Sequence, residues 1–311
     1  MPRLDVRRNL AHRLFMGKAT NLSGIIAMLA GTAAFVVGDS FMKIATEDLP
    51  PFEVLFLRGI AASFFCTALV LIRREGANLA GTLNVRSLLR AACEAASTLC
   101  YVVALAKMPI ADVIAILQTA PLILIIGAAW ILRERIGLTR VFLALLGFAG
   151  AILVAQPSTS GVSAAVPFAF CAAFLVAARD LVGRGIATHI PVTVITLATT
   201  IMVMAVAGVM SAAVENWVTP SGYNSAFLVS AALFVTLGHG GLLLAYRLGS
   251  TASIAPFFYS FALWGVLSGL IIWAELPNAL ALAGIALIVA SGTVLVMIDQ
   301  RRHPVPVSEA L

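Results

Sequence analysis

Three features of the sequence predict an all-α integral membrane protein, with ten transmembrane helices arranged as two inverted five-helix repeats. The first is composition. Of 311 residues, 61% are hydrophobic and only 11% charged, and mean hydropathy is +1.04, too few charges to coat a water-soluble globule. Lipid must therefore be the solvent for most of the surface. The second is self-similarity: a shift of 141 residues carries Ala104, Ala111 and Glu134 onto Ala245, Ala252 and Glu275, with the internal spacings of 7 and 23 unchanged. Ala33-Ala34-Phe35 recurs as Ala172-Ala173-Phe174 and Ile44-Ala45-Thr46 as Ile186-Ala187-Thr188, the shift drifting between 139 and 142. The third is charge placement. All of the 20 Lys and Arg residues except Lys43, Arg58 and Lys107 fall on one side of a ten-span arrangement.

Apolar runs of about 20 residues, the length that crosses the hydrocarbon core, predict the elements in order. They lie near 22–45, 51–72, 88–107, 110–131, 137–156, 164–184, 191–213, 225–247, 252–274 and 279–298. Turn chemistry separates them, as at Asp48-Leu49-Pro50-Pro51, Gln156-Pro157-Ser158, Thr219-Pro220-Ser221-Gly222 and Glu275-Leu276-Pro277-Asn278. The runs are continuously apolar, which argues against an alternating β-barrel. Residues 1–21 are polar and basic, read as a cytoplasmic tail with no cleavable signal peptide. The first repeat then covers 22–156, the second 164–298, and a second tail 299–311. The basic side is the cytoplasmic one by the positive-inside rule, so both termini face the cytoplasm from the cytoplasmic (inner) membrane. Five spans per repeat is an odd number, so the second half enters the membrane from the opposite side. Inverted halves can exchange conformations about a pseudo-two-fold axis, the geometric basis of alternating access.

Gly38-Asp39 followed by Lys43, Arg58 after a Pro-containing turn, and Glu134 and Glu275 closing the fourth helix of each half resemble the drug/metabolite transporter superfamily, EamA-type branch. The resemblance spans about 22–298, although the repeats are imperfect where Gly284 faces Ala144 and Gly147. It implies a transporter, since such proteins export amino acids and related metabolites and some import nucleoside-type metabolites.

An ionised group inside a bilayer costs about 2.5–3.5 kcal/mol on insertion scales, so each one needs a partner or a role. Asp39, Lys43, Glu53 and Arg58 flank the hairpin centred near Asp48 at matching depths. Two stacked pairs, Lys43–Glu53 and Asp39–Arg58, would satisfy all four as a structural clasp, or Asp39 or Arg58 meets substrate or changes partner in gating. Glu94 is open to three roles: binding an amino group, carrying a proton, or pairing with Arg90 at i−4. Arg179-Asp180 reads as an interfacial anchor. His239, within Gly238-His239-Gly240-Gly241, is a packing histidine, a pocket residue or a proton relay. Gln118 and Tyr259 are repeat equivalents. Phe257, Phe261 and Trp264 follow i, i+4, i+7 and form either a packing stripe or the apolar wall of a pocket. The expected cavity lies between helices 3, 4, 8 and 9, lined by Glu94, Tyr101, Gln118, His239, Tyr259 and Trp264. There Glu94 would meet an ammonium, and Gln118 and the tyrosine hydroxyls a carboxylate.

No catalytic or phosphate-binding motif is present, and the four cysteines show neither metal spacing nor a disulfide framework. No cofactor and no metal is expected, and no nucleic acid; the partners are a small-molecule substrate and the lipid bilayer. Gly265-x-x-x-Gly269 is weak evidence for dimerisation, so a monomer is compatible with the sequence. The expected function is export of amino acids, apolar or aromatic ones included, or related small metabolites. The alternatives are uptake or exchange of a larger metabolite such as a nucleoside derivative, and an intramembrane lipid-modifying enzyme.

Overall fold

The computed structural model describes residues 2–120, 122–124, 127, 138–155, 164–183, 190–248 and 255–302, which are helical or in short connections, with no strand among them. Helix α1 (Pro2–Ala45) becomes apolar at Leu22. Pro51 opens α2 (Pro51–Ile72), because a first-turn residue has no intrahelical amide bond to lose. That helix ends at Arg74, whose left-handed backbone (φ 56°) lets Glu75 N reach back to Val70 O. A 3-10 turn (Gly76–Leu83) leads into α3 (Val85–Lys107), where Asn84 Oδ1 caps the start by accepting from Ser87 N at 2.9 Å. Prolines also introduce α4 (Ile110–Leu117) and α7 (Val192–Val214). The remaining helices are α5 (Leu138–Ala155), α6 (Val166–Gly183), α8 (Gly222–Leu248), α9 (Ser260–Trp273) and α10 (Ala279–Arg302).

Six of these helices are long and apolar enough to cross a membrane: Leu22–Ala45, α2, α3, α6, α7 and Gly222–Leu242. Four shorter apolar helices, Ile110–Leu124, Val141–Leu153, Phe257–Trp273 and Ala279–Val294, occupy the other expected spans. Two of those spans are not the continuous α-helices that the apolar runs suggest. The fourth is broken by a turn at Gln118–Thr119, just before Pro121, which has no N–H to give to Leu117 O. The ninth begins with a 3-10 segment, Ala255–Tyr259, ahead of α9. Phe257 and Phe261 therefore do not share one α-helical face: Phe257 is exposed, while Phe261 and Trp264 pack on the core. Pro121, Glu134, Arg184, Ala252 and the 156–161 turn lie outside the described residues. Glu275 does not cap the next helix; Asn278 Oδ1 does so, accepting from Ala281 N at 2.9 Å.

Helix pairing has a simple regularity. The closest pairs are α1–α8, α3–α6, α2–α7 and α5–α10, followed by α2–α8, α3–α7, α4–α9, α1–α9 and α4–α6. Exchanging each helix n with n+5 returns the same pairs. Small residues permit the approaches. A Cβ on Gly241 would sit 2.7 Å from the Cα of Gly31 where α1 crosses α8, and one on Gly59 would sit 2.7 Å from Met204 Cβ where α2 crosses α7. Gly265, of the G-x-x-x-G motif, faces Ile114 of α4, so that motif is used within the chain.

The bundle has two ends. One, the hairpin end, gathers 43–53, 108–112, 215–224 and 273–275. The other, the arginine end, gathers 73–90, 183 and 190–199.

Candidate functional site

Between α1, α2, α3, α6 and α8 the structure collects ionisable and polar side chains that the sequence scatters over 200 residues. Tyr101 of α3 donates its hydroxyl to Asp39 Oδ2 of α1 at 2.8 Å. Arg179 of α6 donates Nη1 to Glu94 Oε2 of α3 at 2.5 Å and Nε to Asp180 Oδ1 at 2.8 Å. Glu94 is thus not isolated, and its close partner is Arg179 and not Arg90, whose Nη1 donates to Thr199 Oγ1 at 3.2 Å. Arg179 is accordingly part of this cluster and more than an interfacial anchor. Arg58 of α2 feels the charges of Asp39, Tyr101 and Glu94 without touching them, and its Nε is buried with no hydrogen-bond partner among the described residues.

His239 of α8 completes the group. Its Nδ1 lies 2.9 Å from Val235 O, and a carbonyl only accepts, so Nδ1 carries the proton and Nε2 is left as an acceptor. The ring is exposed, yet it is coupled to Glu94, Arg179 and Arg58. The Phe35 contact and that electrostatic influence put the ring on the side of α8 that meets α1. Aromatic rings border it: Phe35 packs edge-on to His239 at 4.7 Å, Phe261 lies 5.6 Å from Phe35, and Phe258 lies 5.1 Å from Phe261. Trp264 Nε1 donates to Thr32 Oγ1 at 3.1 Å, and Thr32 and Ser40 bond to Ser260 and Ser268, so α9 and α1 are laced side by side. Glu94 and Arg179 keep 23% and 22% of their side-chain surface, whereas Glu53 at the hairpin end is fully buried.

The two stacked pairs expected at the hairpin are not formed. Lys43 donates to Met108 O at 2.5 Å and lies 5.0 Å from the centre of the Trp273 ring. Glu53 Oε2 accepts from Val218 N at 3.0 Å, while both oxygens of Glu215 accept from Phe52 N and Glu53 N at 2.9 Å, capping α2. Helix rotation is the reason: equal distance from a hairpin fixes depth, but not the azimuth at which a side chain leaves its helix. At the arginine end Thr193, opening α7, donates to Glu75, which follows α2. Glu75 and Glu215 are 140 residues apart, within the repeat shift, and that spacing was the signal available for finding them.

Gln118 and Tyr259 make no hydrogen bond to the charged cluster among the described residues. Gln118 Nε2 reaches Phe258 O at 3.4 Å, joining the two helix interruptions. Tyr259 is buried against α10, its ring filling the space a Cβ at Gly292 would need, and its hydroxyl has no partner among the described residues.

Residues 22–156 match the EamA-like transporter family. Among curated relatives, a riboflavin transporter of Rhizobium johnstonii is 27% identical over 71% of this chain and 73% of its own length. A pseudopaline exporter of Pseudomonas aeruginosa is 26% identical over 86% of this chain and 94% of its own. An S-adenosylmethionine uptake transporter of Rickettsia felis is 23% identical over 91% and 95%. A solved crystal structure superposes with a TM-score of 0.63 at 18% identity, covering 89% of this chain and 98% of its own, a likeness of fold.

Proposed function

Through residues 22–156 the chain belongs to the EamA-like transporter family, and from that premise we propose that it exports small amphipathic metabolites by alternating access between two inverted five-helix halves. It is a multi-pass membrane transporter and not an enzyme, as the family and the relatives are. The packing scheme, unchanged when helix n is exchanged with n+5, supports the inverted repeat. So do the two carboxylate contacts, Glu215 onto the start of α2 and Glu75 onto the start of α7, which stand at opposite ends of one helix pair. The arginine-rich loops support cytoplasmic termini in the cytoplasmic membrane.

The observation that carries the reading is the charged cluster itself. Asp39, Arg58, Glu94, Arg179 and His239 lie on the packed helices α1, α2, α3, α6 and α8, with the Phe35 and Phe261 rings beside His239, and their mutual contacts and charges support a common site. Intramembrane charges at about 2.5–3.5 kcal/mol each are kept where a solute or ion passes. An amino acid with an apolar or aromatic side chain suits such a site, its charged ends meeting the cluster and its side chain the rings. The partial exposure of Glu94 and Arg179 supports loading from the cytoplasmic, arginine-end side. The Rickettsia felis relative, named for uptake of S-adenosylmethionine, supports a second reading in which a nucleoside derivative is taken up or exchanged.

Flux in proteoliposomes separates the two. Vesicles preloaded with radiolabelled phenylalanine or leucine should lose label faster with protein than without, and imposed pH and voltage gradients should reveal coupling. Loss of neither, with S-adenosylmethionine moved instead, replaces the first reading by the second.

A further inference from the structure

In this bundle Arg58 holds the least satisfied charge of the central cluster, and from it we infer that the transported solute carries an anionic group, a carboxylate or its equivalent, which binds the Arg58 guanidinium. This rests on the transporter reading and adds a substrate class to it. The other members are spoken for. Glu94 is bonded to Arg179, Arg179 also to Asp180, and Asp39 takes the Tyr101 hydroxyl. Among the described residues no carboxylate forms an ion pair with Arg58, and its Nε is buried and unbonded. A planar guanidinium with an unused donor can hold a carboxylate through two parallel hydrogen bonds, the strongest arrangement available to it.

The surroundings restrict what lies behind the anion. Asp39 and Glu94 act on Arg58 from a distance, which holds the cation in the membrane without filling its donors. His239 is coupled to Arg58 and packs on Phe35, which leads to Phe261. On this inference a solute held by its anionic head at Arg58 extends towards that histidine and the two phenyl rings. A planar apolar body fits there, offset-stacked or edge-to-face. The full description is an organic anion with an aromatic or similarly flat portion.

Indole-3-acetate and indole-3-acetamide have the same shape and differ in charge, so they probe Arg58 directly. Added to the purified full-length protein, the acetate should raise the unfolding temperature saturably, and the amide should need at least tenfold more ligand for the same shift. Arg58→Gln should erase the preference, Arg58→Lys should keep part of it, and Arg73→Gln, exposed at the arginine end, should leave it intact. Equal response to acid and amide, no response to either, or an unchanged preference in Arg58→Gln overturns the inference. Should Arg58→Gln not fold, the wild-type comparison of acid with amide still decides. Solute flux measured on the same preparation keeps the two claims apart. Flux without acid preference removes this inference alone, and acid preference without flux of any solute removes the transporter reading alone.

Discussion

Glu215→Ala is the perturbation whose effect the structure specifies most fully. Glu215 follows α7, and its two oxygens accept from Phe52 N and Glu53 N, each at 2.9 Å, at the start of α2. Hydrogen bonds to a charged acceptor contribute about 1.5–3 kcal/mol each, and loss of a helix cap costs about 0.5–2 kcal/mol. Glu215 is half-buried, so water recovers part of the loss, and a net cost of about 2 kcal/mol is the reasonable figure. Under the alternating-access proposal these contacts hold the hairpin end shut, so the loss falls on the closed state. At about 1.4 kcal/mol per tenfold change, the ratio of open to closed at that end should rise roughly 30-fold. Leu49, 3% exposed beneath the hairpin, is the reporter. In a background without native cysteines, Leu49→Cys should react with a membrane-impermeant thiol reagent roughly ten to thirty times faster once Glu215→Ala is added. Glu75→Ala removes one acceptor from Thr193 at the other end and should slow that reaction by severalfold. An equal effect of both variants, or no effect of either, would refute the idea that the two carboxylates brace opposite ends of an alternating pair.

Other substitutions test the cluster and its surroundings. Tyr101→Phe should cost about 1 kcal/mol and reduce flux, because Asp39 loses its donor. Tyr259→Phe should change stability by less than about 0.5 kcal/mol, since that hydroxyl bonds nothing among the described residues, whereas Tyr259→Ala should cost about 3–5 kcal/mol by emptying the space over Gly292. Arg179→Ala should destabilise by about 1–3 kcal/mol and Glu94→Ala with Arg179→Ala by less, as measured by unfolding in mixed micelles, because a lone half-buried charge is worse than none. Reporter fusions after Gly161 and Gly222 should read external; a cytoplasmic signal at either would remove the ten-span count and the inversion together.

The elements were legible because a bilayer imposes length. The 51–72 run coincides with α2, and the 88–107 run misses the start of α3 by three residues, at Val85, where an asparagine cap sets the boundary. What apolar runs conceal is interruption: hydropathy is the same either side of Gln118, and the backbone break there follows from hydrogen bonding and not from polarity. Individual site residues were legible as costly charges, but their partners were not. Glu94 finds Arg179 85 residues away, and Glu53 finds Val218 165 away, pairings set by helix rotation that no local spacing records. Symmetry would have helped more than motif. Glu75 and Glu215 carry the repeat shift as plainly as Glu134 and Glu275, yet sit in polar connections where carboxylates attract no notice.

The central claim is that one internal site is reached in turn from both sides of the membrane. His239→Cys, in a background without the native cysteines, puts a thiol at an exposed position of the proposed site. Impermeant reagent applied to oriented vesicles should modify it rapidly from the arginine end, and more slowly from the hairpin end, with Glu215→Ala increasing the second rate at the expense of the first. Modification from one side alone, in both the single background and the Glu215→Ala variant, would contradict alternating access.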